Sequence, residues 1–330
     1  MNDYTSEDTI FVQIASYRDP ELQWTLKDLF EKAKRPENIF VGICHQYDMK
    51  GDEDKHLFEI PFSHPEQLRI DNVDYRESQG CCWARNRVQK LWKGEKYTFI
   101  IDAHTRFVKN WDEQIVKIQK KIGDKSILTQ WAPNYNKATN QCESKIGNGE
   151  LGVCCSRTTI YHNDNINQLS MAVCLHFCFG KSKIISFSPI PILQSSDELI
   201  FSFFCWLQGA NIFVCKDHII NHYCPNDQEK KDVKSKTINR TYNRNIDKIF
   251  DFIFERKQIK DQNIIQIVNN HINHIHFDSC RNLRDYERFS GANFKLNTLR
   301  EHCKYGIFEE WQEVSKIKNI KNIFTGVYKL

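Results

Sequence analysis

The sequence predicts an α/β fold: a mainly parallel central sheet covered by helices, with a helical C-terminal extension. Three observations predict it. Apolar, β-branched runs alternate with amphipathic helical stretches as far as Trp131, the mark of βαβ units. Neither a G-x-G-x-x-G nor a Walker A sequence occurs, so the dinucleotide and P-loop versions of such a fold lose support. An apolar run, Tyr97-Thr98-Phe99-Ile100-Ile101, stops abruptly at Asp102-Ala103-His104, and strand ends of this kind are where α/β sheets bind ligands.

In order, residues 9–15 (TIFVQIA) read as a buried strand. Asp19 and Pro20 then signal a helix start, with Leu22, Leu26, Leu29 and Phe30 on one helical face. Residues 38–44 and 68–73 read as strands, 82–92 as a helix, 97–101 as the fourth strand, 111–122 as a helix and 127–131 as a fifth strand. The stretch 141–194, rich in Cys, Ser and Asn, reads as irregular loops and antiparallel strands. Residues 201–206 belong to an apolar helix that Ser195 or Ser196 can cap, with Asp197 and Glu198 in its first turn. Residues 211–215 and 219–223 follow as extended segments, and 227–236 as a charged loop carrying Lys230, Lys231, Lys234 and Lys236. The patterns at 239–268, 282–286 and 297–302 are helical.

Composition narrows the function. With 330 residues, 40% hydrophobic and 12% aromatic, the chain can bury a sizeable core. A formal charge of +4 is far from the basic excess of a nucleic-acid-binding protein, so no nucleic-acid partner is expected. The first residues, MNDYTSEDTI, lack an apolar secretory segment, and no run of about 18 apolar residues is present to span a membrane. The 13 cysteines are odd in number and irregularly spaced, which favours free thiols in a reducing, cytoplasmic compartment. Cys174-Leu175-His176-Phe177-Cys178 and the pairs Cys81-Cys82 and Cys154-Cys155 raise the idea of zinc, but paired C-x₂-C knuckles are missing.

Asp102 and His104, two apart in an extended segment, point the same way. A carboxylate oxygen beside an imidazole nitrogen is half of a divalent-metal site suited to Mn²⁺. The bland alternatives are a turn cap for Asp102 and a surface position for His104. Arg85 sits at a helix start after the loop holding Gly80, where a guanidinium and backbone N–H groups can meet phosphate; a surface salt bridge is the alternative. Tyr17 reads as ordinary half-buried packing, and Arg18 can pair with Asp19 or Asp28.

Several segments together resemble one family, the cytosolic polypeptide hydroxyproline N-acetylglucosaminyltransferases, which have a GT-A fold and are similar to the catalytic domain of polypeptide N-acetylgalactosaminyltransferases. The segments are FVQIASYRDP from Phe11 to Pro20 with TLKDLF from Thr25, Gly80-Cys81-Cys82-Trp83-Ala84-Arg85, Ile101-Asp102-Ala103-His104-Thr105-Arg106-Phe107 with Trp111-Asp112, and Ser195-Ser196-Asp197-Glu198 with Gly209 and His222 after it. A fainter likeness runs from Cys280 to Glu287 and Gly291. The family usually has Ser where Ala103 stands, the acidic motif lacks its Gly, and residues 142–168 match poorly.

The resemblance implies a metal-dependent, retaining glycosyltransferase. It would move a sugar, foremost GlcNAc, from a UDP-sugar to a hydroxyl on a protein residue (hydroxyproline, Ser or Thr) or a glycan. It makes His222 the third ligand beside Asp102 and His104, with His218 the nearby competitor. Ser16, Tyr17, Arg18, Arg85 and Asp102 would meet the donor nucleotide, and Asp197 and Glu198 would lie near donor sugar and acceptor. Helix-dipole compensation is the alternative for the acidic pair. Retaining chemistry assisted by the departing phosphate asks for no general base. Trp131, Trp206 and Tyr223 could stack on a sugar, although core packing also explains them, and the lysine loop could close as a lid. The expected division is a catalytic domain at 1–235 (nucleotide half 1–135, acceptor and metal half 136–235) and a helical extension at 236–330. The competing classes are a sugar-nucleotide or glycan-binding module without turnover, and a metal hydrolase, for which no two-metal ligand cluster is found.

Overall fold

The computed structural model describes residues 4–137, 139, 141–142, 168–185, 190–191, 197–223, 243–273, 275, 281–296 and 298–300. Its centre is a sheet of eight strands. β1 (Ile10–Tyr17) pairs in parallel with β2 (Ile39–Tyr47) on one side and β4 (Tyr97–Asp102) on the other, and β3 (Leu68–Asp74) lies parallel outside β2. β1, β2 and β4 are near-continuous apolar runs because both faces are covered, whereas β3, at the edge, is polar and half-exposed.

On one face, Ile10, Val12 and Ile14 pack with Leu22, Leu26 and Leu29 of α1 (Leu22–Glu31) and with Trp111, Ile115 and Val116 of α3 (Trp111–Ile122). On the other, Phe11, Cys44 and Val73 meet Ala84 and Val88 of α2 (Cys81–Gln89). Gly42 is glycine for space: a Cβ there would come 2.5 Å from the Phe11 ring. α3 is anchored by Asp112, which is fully buried and accepts from the backbone N–H groups of Lys34 (2.7 Å) and Arg35 (2.8 Å).

Beyond β4 the sheet becomes mixed. β10 (Phe177–Lys181) inserts antiparallel between β4 and β6 (Ser126–Thr129), β11 (Asn211–Val214) runs parallel to β6, and β9 (Gln168–Ser170) closes the edge antiparallel to β11. The central parallel expectation holds, and the antiparallel strands arise from the middle of the chain. A small sheet joins β5 (Thr105–Phe107) to β12 (Ile220–His222), and another pairs β7 (Tyr135–Asn136) with β8 (Gln141–Cys142).

A second core lies under α4 (Asp197–Leu207), whose Leu199, Phe203 and Trp206 pack against α5 (Asn243–Ile253), α6 (Gln262–Ile272) and α7 (Leu283–Ser290). Three expectations change here. Where described, the stretch expected to be helical from 239 to 268 holds two helices, α5 and α6, separated by a turn in which Glu255 takes a left-handed φ of 50°. Within 297–302, Thr298–Leu299 is not helical but forms β14, pairing with β13 (Ala292–Asn293). The first helix begins at Leu22, with Pro20 ahead of its cap residue Glu21. The proposed cap residues Ser195 and Ser196, the lysine loop 227–236 and most of 142–168 lie outside the described residues. Among the described residues, no helix is long and apolar enough to cross a membrane.

Candidate active site

Parallel strands deliver their C-terminal ends to one edge of a sheet, and the candidate site is built there. Asp102 is the last residue of β4 and lies in register with Ala15, on the α2 face. Arg85, only 8% exposed within α2, donates from Nη2 to Asp102 Oδ1 at 3.2 Å. His222 ends β12, and the antiparallel register sets it opposite Thr105. The backbone clamps both histidine segments: His222 N donates to Pro133 O at 2.8 Å and Tyr223 N to His104 O at 3.0 Å.

Three donor atoms converge. His222 Nε2 lies 3.1 Å from Asp102 Oδ2 and 3.1 Å from His104 Nε2, and His104 Nε2 lies 4.0 Å from Asp102 Oδ2. Cations of the Mg²⁺ and Zn²⁺ size bind at roughly 2.0–2.2 Å, so neighbouring ligand atoms on an octahedron stand roughly 2.8–3.1 Å apart. Two of the three separations match that spacing and the third, at 4.0 Å, is wider. One carboxylate with two imidazoles is a ligand set suited to a divalent ion such as Mn²⁺.

The charges agree with a cation site. Burial works to raise the Asp102 carboxyl, but the His222 hydrogen bond and the Arg85 charge outweigh it and hold the group well below the usual carboxylate range. Burial would lower His104, yet the adjoining Asp19 carboxylate raises it above the ordinary histidine value. Burial dominates at His222 and lowers it despite Asp102. Asp102 is thus held as an anion and His222 is pushed towards its neutral form, both of which favour a metal. In the metal-free site His222 Nε2 carries the proton it donates to Asp102, and that proton must move off the atom when a metal binds.

Two residues come into the site that sequence reasoning did not place there. Asp19 Oδ2 accepts from His104 Nδ1 at 2.7 Å. His176, buried, stacks on His222 with ring centroids 4.3 Å apart, and Asp102, His176 and His222 also form a cluster able to hold a metal. Its signal was the Cys174-x-His176-x-Cys178 spacing, considered above only for zinc. In the structure Cys174 and Cys178 are free thiols, and Cys174 Sγ lies 2.9 Å from His176 Nδ1. Ala132 N donates to His176 Nε2 at 3.3 Å, which puts the ring proton on Nδ1.

The other expected residues are placed as follows. Tyr17, half-buried at the end of β1, meets Tyr75 edge-on at 6.4 Å. Ser16 is fully buried, and its Oγ has no hydrogen-bond partner among the described residues. Arg18 pairs with neither Asp19 nor Asp28: its guanidinium grips Asp54 (3.0 and 2.9 Å) and Glu53 (2.7 Å) and lies over Tyr75. Glu198 Oε1 accepts from Leu175 N at 2.8 Å, while the side chain of Asp197 lies outside the described residues. His218, the competing ligand, bonds Asn221 Oδ1 at 2.9 Å instead. Trp206 is in the second core, stacked on Phe289; Trp131 meets His176 edge-on, and Tyr223 meets His104 edge-on.

The family model described as Glycosyltransferase (GlcNAc) matches residues 9–58 and 49–295. A search of the curated proteins finds no match. Among solved structures the chain is similar to GalNAc-T7 with UDP, GalNAc and Mn²⁺, at 15% identity and a TM-score of 0.48, over 66% of this chain and 44% of that one. It is also similar to S. aureus TarS 1-349 in complex with UDP-GlcNAc, at 12% identity and a TM-score of 0.50, over 81% of this chain and 73% of that one. The chain therefore spans less than half of the GalNAc-T7 chain. The likeness to TarS is one of fold, in keeping with the expected GT-A architecture.

Proposed function

The chain belongs to the glycosyltransferase (GlcNAc) family, and from that premise we propose that it moves N-acetylglucosamine from UDP-GlcNAc to a hydroxyl acceptor, with a divalent metal and with retention at the anomeric carbon. The observation that carries the metal reading is the convergence of Asp102 Oδ2, His104 Nε2 and His222 Nε2 at 3.1, 3.1 and 4.0 Å. We assign these three as ligands. His176 also clusters with Asp102 and His222, but it stacks nearly parallel to His222, at 22°, and its Nε2 is engaged by Ala132. Two stacked rings aim their nitrogens alike, whereas cis ligands must aim theirs at one point. His176 thus serves as the wall behind His222.

Mn²⁺ held here would act as a Lewis acid on the diphosphate of the leaving UDP. The remaining work falls to the protein. Arg85 holds Asp102 in its ionised form and lends positive charge beside the phosphates. Tyr17, at the end of β1, is assigned to the base and ribose, with Ser16 and Arg18 shaping that loop. Glu198 orients the sugar or acceptor hydroxyl, and Asp197 is assigned beside it. An attack from the face of the departing phosphate lets a phosphate oxygen take the acceptor proton, so no protein base is assigned.

The acceptor class is a protein hydroxyl (hydroxyproline, Ser or Thr) or a glycan. The described cysteines, all free, support a cytoplasmic site of action. We assign 1–235 to catalysis and 236–330 to a helical extension; the packing of α5–α7 under α4 supports its docking on the catalytic part.

The test is UDP release from a panel of UDP-sugars with Mn²⁺, with and without EDTA, for the native chain and His104→Ala. Release from UDP-GlcNAc that vanishes with EDTA and in the variant is expected. UDP binding with no release from any donor, even with candidate acceptors present, would favour a binding module; no UDP binding at all would sink the assignment.

A further inference from the structure

The metal reading of the site leaves Asp19 without a role, although its carboxylate is bonded on both oxygens. Oδ1 accepts from the backbone N–H of Glu21 at 2.9 Å, and Oδ2 accepts from His104 Nδ1 at 2.7 Å. Resting on that reading, we propose that Asp19 is the positioning residue of the metal site: it fixes His104 in the tautomer and ring orientation that offer Nε2 to the cation.

A carboxylate can only accept hydrogen bonds. The ring nitrogen facing it must therefore carry the proton, and a neutral imidazole has one N–H. With Nδ1 protonated, the lone pair is left on Nε2, the atom that lies 3.1 Å from His222 Nε2 and 4.0 Å from Asp102 Oδ2. Carboxylate partners of metal-bound histidines have this effect generally and strengthen the ligand.

The turn that presents Asp19 is built at a cost. Arg18, immediately before it, takes a left-handed φ of 48°, where a side chain with a Cβ is strained. The paired bonds from Arg18 to Asp54, at 3.0 and 2.9 Å, and its seat 4.1 Å over the Tyr75 ring hold it there. The Glu21 N–H then fixes the carboxylate at the head of α1. Through Asp19, the turn assigned above to the donor nucleotide is tied to the metal motif 85 residues further on. Asp19 acts through His104, so it is distinct from the ligands.

Asp19→Asn and Asp19→Ala differ usefully. The single amide oxygen of Asn is claimed by the Glu21 N–H, so its NH₂ faces His104 Nδ1 and requires a lone pair there. That drives the proton to Nε2 and blocks the ligand atom. Ala leaves both tautomers open. The primary readout is the ¹⁵N spectrum of metal-free, histidine-labelled protein at alkaline pH, where the ring is neutral. The native chain should show His104 protonated on Nδ1, and Asp19→Asn on Nε2. Mn²⁺ titrations should show binding weakened roughly 10–100-fold in Asn, and less in Ala, the range known for such outer partners. A role in folding alone would give the opposite order, with Ala worse than Asn. A native spectrum with the proton on Nε2 overturns the proposal with no variant needed. His104→Ala separates the two levels. If it leaves Mn²⁺ binding intact, the metal reading fails and the proposal with it. If it abolishes binding while Asp19→Asn changes neither spectrum nor affinity, only the positioning role fails.

Discussion

Metal binding at this site should release a proton at pH values below the raised pKa of His104, and that proton should come from His104. The three ligand groups start from different states. Asp102 is held well below the carboxylate range by His222 and Arg85, so it has no proton to lose. His222 is lowered by burial, so near pH 7 it is neutral. Burial works to lower His104, but Asp19 outweighs it and raises it above the ordinary histidine value, so of the three groups it is the one whose proton competes with the metal. Between about 6.5 and its raised pKa, Mn²⁺ affinity should climb tenfold per pH unit, about 1.4 kcal/mol. Above that pKa it should level off, and well below neutrality the slope should approach two as His222 also charges. The metal-free fold has the opposite sign. The raised pKa means that charged His104 stabilises it fully below about 6.5, and this is lost as pH rises through the raised value. Acid therefore favours the empty fold locally while base favours the loaded one. Calorimetric titration with Mn²⁺ in buffers of different ionisation enthalpy counts the protons directly. A count for the native chain that rises towards one proton per ion as pH falls through the raised value is the expected result. No proton released at about pH 6.5, where a histidine with a raised pKa is more than half charged, would refute the assignment of states.

Two further outcomes follow from single side chains. Asp112→Ala removes two charge-assisted hydrogen bonds to the part-buried N–H groups of Lys34 and Arg35, at about 1–3 kcal/mol each. Urea unfolding should therefore show a loss of about 2–6 kcal/mol, and Asp112→Asn, which keeps one acceptor, about half; a loss under about 1 kcal/mol contradicts this reading. Glu198→Gln keeps the oxygen that accepts from Leu175 N but drops the charge, so it should melt like the native chain while sugar transfer falls at least about tenfold, equivalent to about 1.4 kcal/mol; unchanged turnover would reduce Glu198 to an anchor for the 174–176 loop.

What the sequence disclosed depended on how local the cause was. β1, β2 and β4 were legible because a strand covered on both faces is an unbroken apolar run. α3 was legible to both ends because Asp112 and Glu113 mark its first turn and Gly123 its stop. β10 was not, since FCFGK owes its strand to antiparallel pairing with β4 and β6, partners about 50 to 80 residues away. The same limit hid parts of the site. His218 and His222 are equivalent in sequence, and only the register of β12 against Thr105 decides which one reaches Asp102. Arg18 was expected to pair with a carboxylate close in sequence, but the left-handed turn directs it to Asp54 across the β2 loop. The role of His176 follows from a stack on a ring 46 residues later, for which no spacing rule exists.

The insertion of β10 does more than mix the sheet. It sets the segment 174–176 against the parallel half, and there Leu175 becomes a link between the two. Its N–H donates to Glu198 of α4, and its carbonyl stands 3.5 Å from the Arg85 guanidinium, which in turn holds Asp102 at 3.2 Å. The acidic residue assigned to the sugar end and the carboxylate assigned to the metal are thus joined by one peptide unit and one arginine. The Arg85–Leu175 step is at the outer limit of a hydrogen bond, so it contributes little energy but restricts where the guanidinium can lie. Both ends of a bound sugar nucleotide would then be referenced to the same strand junction. A parallel sheet alone gathers its strand ends at one edge; here the antiparallel insertion supplies the opposite wall and fixes its distance.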